Sequence, residues 1–316
     1  VEKILKFIRS IILINLLVRI IVKGSFLFTK KAFDYYSLHW PVYGTISYAL
    51  PNKKKIKIFS KGDDFVSTQA FWKGYDGYEG PSIRLFYQLS TLSQTIFDVG
   101  ANVGYFSLVG AGANKNAKVF AFEPIPIVFE RLVKNLEINK LDNAKAINAA
   151  VGESVAQLKF YVPNIIGMPL ASSTKKGWYE DSTEIEVKST SLDHFKTKEK
   201  LNRIDLIKID CEFHETEILN GMKSILSIDK PLILMEILFP EEKGVKGHFE
   251  NHNYVDIERI MKENGYYFYM VNEAGLIRMD KLEFNPEERN YLFSTKKSGN
   301  TYLPFSDIDS LFKNII

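Results

Sequence analysis

Cysteine is almost absent from this chain. Its 316 residues hold one, Cys211, so no disulfide can close within it. That suits a reducing compartment, and a cytoplasmic location is expected. Histidine is also scarce: five residues, scattered, with no Cys/His spacing of a zinc site. Charge of one sign is missing as well. The formal net charge is +3, and the basic residues cluster only briefly at 53–55 and 175–176. Such clusters read as solvated loops, so no nucleic-acid partner is expected. Long apolar runs are missing too. Residues 11–22 come nearest, but Asn15 and Arg19 interrupt them, and a membrane-spanning helix needs about twenty apolar residues. No small-residue cleavage site follows, which argues against a signal peptide. Residues 1–23 therefore keep two readings. One is a helix packed on the body of the protein or on a second copy of it, as in a homo-oligomer. The other is a basic, apolar helix lying peripherally on an anionic membrane surface.

What the chain does have is the stretch 95–107, TIFDVGANVGYFS. A short apolar run reads as a buried strand. It reaches Asp98, turns through Gly100, Ala101, Asn102 and Gly104, and enters a helical pattern through Tyr105 and Phe106. Strand, glycine turn and helix make a ligand cradle, because the backbone can approach a ligand and the helix start presents N–H groups. Dinucleotide folds use G-x-G-x-x-G. Here the spacing is G-x-x-x-G with an acid ahead of it, which disfavours a nicotinamide-dependent oxidoreductase. Asp98 would repel a pyrophosphate and attract an ammonium or sulfonium. The next strand, ending at Phe122, runs into Glu123-Pro124, and a carboxylate there can accept ribose hydroxyls. S-adenosylmethionine meets both conditions.

Repeated strand–helix units follow. Strands are expected over 96–99, 119–122, 144–149, 205–209, 232–237, 266–271 and 290–294, and helices over 81–92, 127–138, 216–226 and 255–264. This pattern predicts a doubly wound α/β domain with ligands at the carboxyl ends of its strands. That rule places Asp98, Glu123, Asp210, Glu212 and Glu236 on one rim. The expected division is an N-terminal helix and aromatic-rich accessory segment (1–80), a core domain (81–300) with an insertion (152–201), and a C-terminal tail (301–316). The insertion holds a hairpin, 158–162 with 184–189. The loop between its strands, with Gly167, Met168, Ser172 and Ser173, reads as a substrate lid.

The motifs DVGANVGYFS, VFAFEP, NAAVGE, LIKIDCEFHETEIL and PLILMEI, in that order, resemble the FkbM-type S-adenosylmethionine-dependent methyltransferases. The likeness runs over about residues 78–297. It implies a class I methyltransferase (Rossmann-like) fold with a seven-stranded, mostly parallel sheet, and O-methylation of a hydroxyl on a sugar in a glycan or glycolipid. Methylation of a small secondary metabolite, or a non-catalytic S-adenosylmethionine- or glycan-binding module, remain alternatives. The cofactor-binding candidates are Asp98, Gly100, Ala101, Asn102, Gly104, Tyr105, Phe106, Glu123 and Pro124. The catalytic candidates are Asp210, Glu212 and His214, with histidine suited to accept a proton. Glu79, Ser172, Ser173 and Glu236 are the substrate candidates. Asp210, Glu212 and Glu236 would be the ligands if Mg²⁺ were used; the same acids could instead hold sugar hydroxyls. Where the family has a glycine in K-I-D-x-E-G-x-E, this chain has Phe213, which is expected to disturb the turn and narrow the pocket.

Overall fold

The computed structural model describes residues 7–8, 11–26, 35, 37–165, 167–169, 174, 181–239 and 253–308. At its centre is a nine-stranded sheet. Strands β3 (Thr95–Val99), β4 (Lys118–Phe122) and β5 (Ala144–Ile147) step outward in one direction. Strands β9 (Leu206–Ile209) and β10 (Leu232–Glu236) step outward in the other, all paired in parallel. The chain therefore reverses its winding between β3 and β9, and a crevice opens at such a switch point. Strand β13 (Asn290–Ser294) pairs antiparallel with β10 and with β11 (Tyr267–Val271). These seven strands are the ones expected from sequence. Two more, β12 (Gly275–Met279) and β14 (Tyr302–Pro304), extend the edge. The sheet is thus wider than the seven strands predicted, and the segment expected as a tail contributes its outermost strand.

The parallel strands read as continuous apolar runs because both of their faces are covered. Ile96, Val119, Leu206 and Leu232 enter one core. Their neighbours Phe97, Phe120, Ile207 and Ile233 enter the other. The first core is covered by α3 (Gly80–Leu92), α4 (Tyr105–Ala113) and α5 (Pro126–Asn139). The second is covered by α6 (Leu192–Lys198), α7 (Glu215–Asn220) and α8 (Asn253–Glu263). Phe195 of α6 anchors the second core, with its ring 4.8 Å from Phe122, 5.3 Å from Phe120 and 5.8 Å from Phe97. Helix α7 stops at Asn220, short of the 216–226 expected, and a π-helical turn (Ile225–Asp229) follows it.

The aromatic-rich N-terminal region joins the first core. A hairpin, β1 (Tyr43–Ala49) with β2 (Lys55–Lys61), packs beside α5. Asn135 Oδ1 accepts from Phe59 N at 2.8 Å, and Asn139 Oδ1 accepts from Lys57 N at 2.7 Å. Arg131 donates to both oxygens of Asp63, at 3.0 and 2.9 Å. Helix α2 (Phe65–Lys73) follows, capped by Asp64, which accepts from Ser67 N at 2.7 Å. Phe71 and Trp72, from the aromatic-rich accessory segment, belong to this helix and are buried. The helix α1 (Ile12–Phe26) lies beyond. Among the described residues no helix is long and apolar enough to cross a membrane.

The insertion forms a small second sheet. Strand β7 (Ala156–Pro163) pairs antiparallel with β8 (Ser182–Thr190), and β8 pairs with β6 (Ala150–Val151). The expected hairpin is present, with Leu158 opposite Val187 and Val162 opposite Thr183. Between its strands Met168 is buried and donates its N–H to the Asp63 carbonyl at 2.7 Å. Ser172 and Ser173 lie outside the described residues.

Candidate active site

A cavity of about 280 Å³ opens at the carboxyl ends of β3, β4 and β9. The turn after β3 shapes it. Gly100 has φ 78°, and a Cβ there would lie 1.9 Å from the Asp210 carbonyl oxygen. Only glycine lets this turn pass so close to β9. Gly104 has φ 92°, and its missing Cβ makes room for Leu132 of α5. Between them Asn102 adopts φ 50° and presents its N–H to Glu123 Oε2 at 3.0 Å. Glu123 Oε1 accepts from Ile125 N at 2.9 Å. The buried carboxyl at the end of β4 is thus clamped at both oxygens by backbone, with no cation as partner among the described residues. Burial pushes it up to about 7, against the pull of those two N–H groups. Asp98, at the floor, accepts a hydrogen bond from Ser107 Oγ at 2.5 Å, and burial raises it to about 6.

The opposite wall is built around a cation. Lys208 is the third residue of β9, buried among apolar neighbours, with its ammonium 4.9 Å from the Phe106 ring centroid and 3.3 Å from Asp210 Oδ2. Burial works against its charge. Asp210, Glu79, Glu236 and Asp98 together overcome that and hold it protonated above the ordinary lysine range. For Asp210 burial opposes ionisation, but Lys208 and a hydrogen bond with Glu236 leave the carboxyl below its usual range. Glu236 ends β10, and burial beside Asp210 and Glu79 pushes it well up. The Asp210–Glu236 contact needs one proton, and Glu236 carries it. Glu79 stands at the start of α3 in left-handed backbone, φ 47°. It accepts from Asn290 Nδ2 at 3.4 Å, and burial raises it despite Lys208. Asn290 is the β13 residue opposite Glu236, and its Oδ1 is buried without a partner among the described residues. Asp98, Glu79, Asp210 and the protonated Glu236 gather around the Lys208 ammonium, and Arg289 also lines the cavity.

Of the sequence candidates, Asp98, Gly100, Ala101, Asn102, Tyr105, Phe106, Glu123, Pro124, Glu79, Asp210, Glu212, His214 and Glu236 all line this cavity. Gly104 does not line it but starts α4 directly behind it. The Mg²⁺ grouping is not formed. Asp210 and Glu236 meet, but among the described residues no three carboxyl, imidazole or thiol groups are gathered for a metal ion. The ammonium of Lys208 stands where these carboxyls converge. Phe213 also departs from expectation. It adopts the left-handed φ of 70° that a glycine would take, beside Glu212 at φ 47°. Its ring is buried and does not line the cavity, so it does not narrow it. Glu215 fixes this turn, accepting from Phe213 N at 3.2 Å and from Asn253 Nδ2 at 2.5 Å. His214 precedes α7; its Nδ1 lies 3.4 Å from Thr174 Oγ1 and 3.7 Å from Glu217. Cys211 is half-buried and lines the cavity; burial raises its thiol well above the usual range, which keeps it inert.

Sequence reasoning passed over Lys208, Asn290, Tyr78 and Ser107. A lysine inside an apolar strand, two residues from an acid on the same face, was the signal available for Lys208.

The Methyltransferase FkbM domain matches residues 98–268, from the floor of the cavity to β11. The chain is 32% identical to "Methyltransferase sdnD" of Sordaria araneosa over 154 residues, 40% of this chain and 60% of that protein. It is 28% identical to "Hexuronic acid methyltransferase AglP" of Haloferax volcanii over 163 residues, 51% of this chain and 63% of that one. The chain thus spans about three fifths of the length of these curated relatives. Among solved structures, Methyltransferase FkbM from Methylobacillus flagellatus KT superposes with a TM-score of 0.42 at 15% identity, covering 73% of this chain and 53% of that one. With the family domain spanning more than half of its residues, and on a doubly wound α/β sheet of the class I methyltransferase type, this chain belongs to the FkbM methyltransferase family.

Proposed function

We propose that the chain transfers a methyl group from S-adenosylmethionine to a hydroxyl of a sugar, free or within a glycan or glycolipid. The observation that carries this reading is the pairing of two walls in one cavity: a backbone-clamped Glu123 on one side, and Asp210 held ionised by Lys208 on the other. The residues present fit the cofactor. Glu123 is placed to accept ribose hydroxyls, and Pro124 and Phe122 flank it. The turn from Gly100 to Asn102 lets the backbone approach, and the carboxyls of Asp98 and Glu79 are placed to accept hydrogen bonds from an ammonium. When bound, S-adenosylmethionine supplies a methyl group on positively charged sulfur.

The protein's part is to hold the acceptor in line and take its proton. Asp210 is the base in this reading. An alcohol becomes strongly acidic as its oxygen bonds to carbon, so a carboxylate below the usual pKa range suffices, provided it stays ionised. Lys208 keeps it so. Glu79 and the protonated Glu236 are placed to hydrogen-bond neighbouring hydroxyls, a donor and an acceptor side by side, as a polyol requires. The similarity to a hexuronic acid methyltransferase supports a sugar acceptor. Strands β7 and β8 act as a lid, with Phe160 of β7 lining the cavity beside His214.

Turnover to S-adenosylhomocysteine with a panel of sugars and uronic acids tests the proposal. Asp210→Asn should lower kcat about 100-fold or more with little change in cofactor affinity, and His214→Ala should lower it less. Unchanged kcat in Asp210→Asn would overturn the assignment of the base.

A further inference from the structure

Helix α1 settles how the N-terminal segment can be both docked and free. One of its faces is fixed to the body. Asn15 is buried and accepts from Trp40 Nε1 at 3.0 Å, Val22 is buried, and Arg19 donates to the Trp72 carbonyl at 3.3 Å with its guanidinium 5.1 Å from the Phe71 ring centroid. The two polar residues that break the apolar run are therefore the ones that dock it. The other face carries Leu13, Leu16, Leu17, Ile20 and Ile21, spaced as one stripe of a helix. Leu13, Leu17, Ile20 and Ile21 are 57–73% exposed. A stripe of large aliphatic residues left in water on an otherwise docked helix marks an interaction surface.

Charge identifies the occupant. From Lys3 to Phe33 the chain carries seven basic residues, Lys3, Lys6, Arg9, Arg19, Lys23, Lys30 and Lys31, and no acidic one. The rest of the chain carries a net charge of −4, since the whole carries +3 and this segment +7. A second copy of this chain would set two such basic segments against each other; an anionic lipid surface complements both the charge and the apolar stripe. The 15 described residues of α1 span about 22 Å, and because one face is docked on the body while the other carries the apolar stripe, the helix would lie in the plane of the interface.

We infer that the Leu13–Leu17–Ile20–Ile21 face of α1 is a peripheral anchor for anionic membranes. The anchor connects to the cavity through α2. Trp72, which receives Arg19, lies six residues from Val66, which lines the cavity wall, or about 9 Å along one helix. A membrane-bound protein therefore holds the cavity close to acceptors carried on that surface. The inference does not depend on methyl transfer, because it is read from binding alone.

The test is cosedimentation of the full chain with vesicles of phosphatidylcholine, alone or mixed with phosphatidylglycerol. A Leu17→Glu/Ile20→Glu double variant is the comparison, and its circular dichroism and Tm should match the wild type because both positions are exposed. The wild type should bind the anionic vesicles at least about tenfold more tightly than the neutral ones, and added salt should release it. The double variant should lose at least about tenfold in that affinity. Wild-type protein that stays in the supernatant with both vesicles would overturn the inference. So would sedimentation velocity showing a dimer that the double variant dissociates, since the face would then be a subunit interface.

Discussion

Two carboxylates close two strands of the same sheet, and they behave oppositely. Glu123 follows β4 and Asp210 follows β9, and both face one cavity. Glu123 is clamped by two backbone N–H groups and pushed up to about 7. Asp210 is held below the usual range. The difference is Lys208, a buried ammonium 3.3 Å from Asp210, with no counterpart beside Glu123 among the described residues. Backbone donors orient a carboxylate; a buried cation fixes its charge. On the proposed reading the first serves binding and the second serves proton transfer.

Removing the cation is the hardest test of that contrast. Lys208→Met leaves Asp210, Glu79, Asp98 and the protonated Glu236 buried without their cation, and breaking such a network costs about 3–5 kcal/mol. Urea unfolding should show that loss, together with turnover at least as low as in Asp210→Asn. A variant of wild-type stability would mean that the four carboxyls do not depend on Lys208. On the other wall, Glu123→Gln should keep kcat near wild type at saturation but weaken cofactor binding by about 1.5–3 kcal/mol, seen as a rise in KM for S-adenosylmethionine. A kcat loss at saturation instead would blur the division between the walls.

The contrast also has a pH signature in the ligand-free protein. Glu123 and Glu215 both sit at about 7 when folded, above the unfolded value of about 4.3. Their protonated forms favour folding, so this contribution is complete below about pH 4.3 and is lost as the pH rises to about 7. Asp210 has the opposite sign: its lowered value favours folding above the unfolded value of about 3.9, and that contribution is lost as the pH falls through the folded one. Glu215→Gln should flatten the decline in Tm between about pH 4.3 and 7 without touching the acid limb. The smallest effect is expected at Asn290→Ala. It removes the 3.4 Å contact to Glu79 and should raise acceptor KM a few-fold, on the order of 1 kcal/mol, with kcat unchanged.

Sequence reasoning reached the central strands because each is a short apolar run bounded by a turn signal; the strand 290–294 matches β13 residue for residue. It also reached the cradle, since Gly100 and Glu123 stand at positions where backbone approach and strand ends dictate residue type. It missed β12 and β14, short strands of mixed residues at the edge of the sheet that carry weak periodicity, β12 inside and β14 outermost. It missed α2, although Asp64 and Ser67 hold the spacing of a helix cap. Lys208 was hidden by its surroundings: LIKI reads as an apolar strand, and only the sheet brings Glu79, Asp98 and Glu236 to its ammonium. At Phe213 the family's glycine signalled the left-handed turn correctly. What it could not signal is that Glu215 and Asn253 hold that turn with a bulky residue in place.

Calorimetric titration with S-adenosylmethionine, S-adenosylhomocysteine and NAD, on the wild type and on Gly100→Ala, tests the central claim most directly. The account predicts micromolar binding of the first two and none of the third. It also predicts loss of binding in the variant, whose added Cβ would collide with the Asp210 carbonyl. Heat with NAD and none with S-adenosylmethionine would contradict the assignment of this cavity.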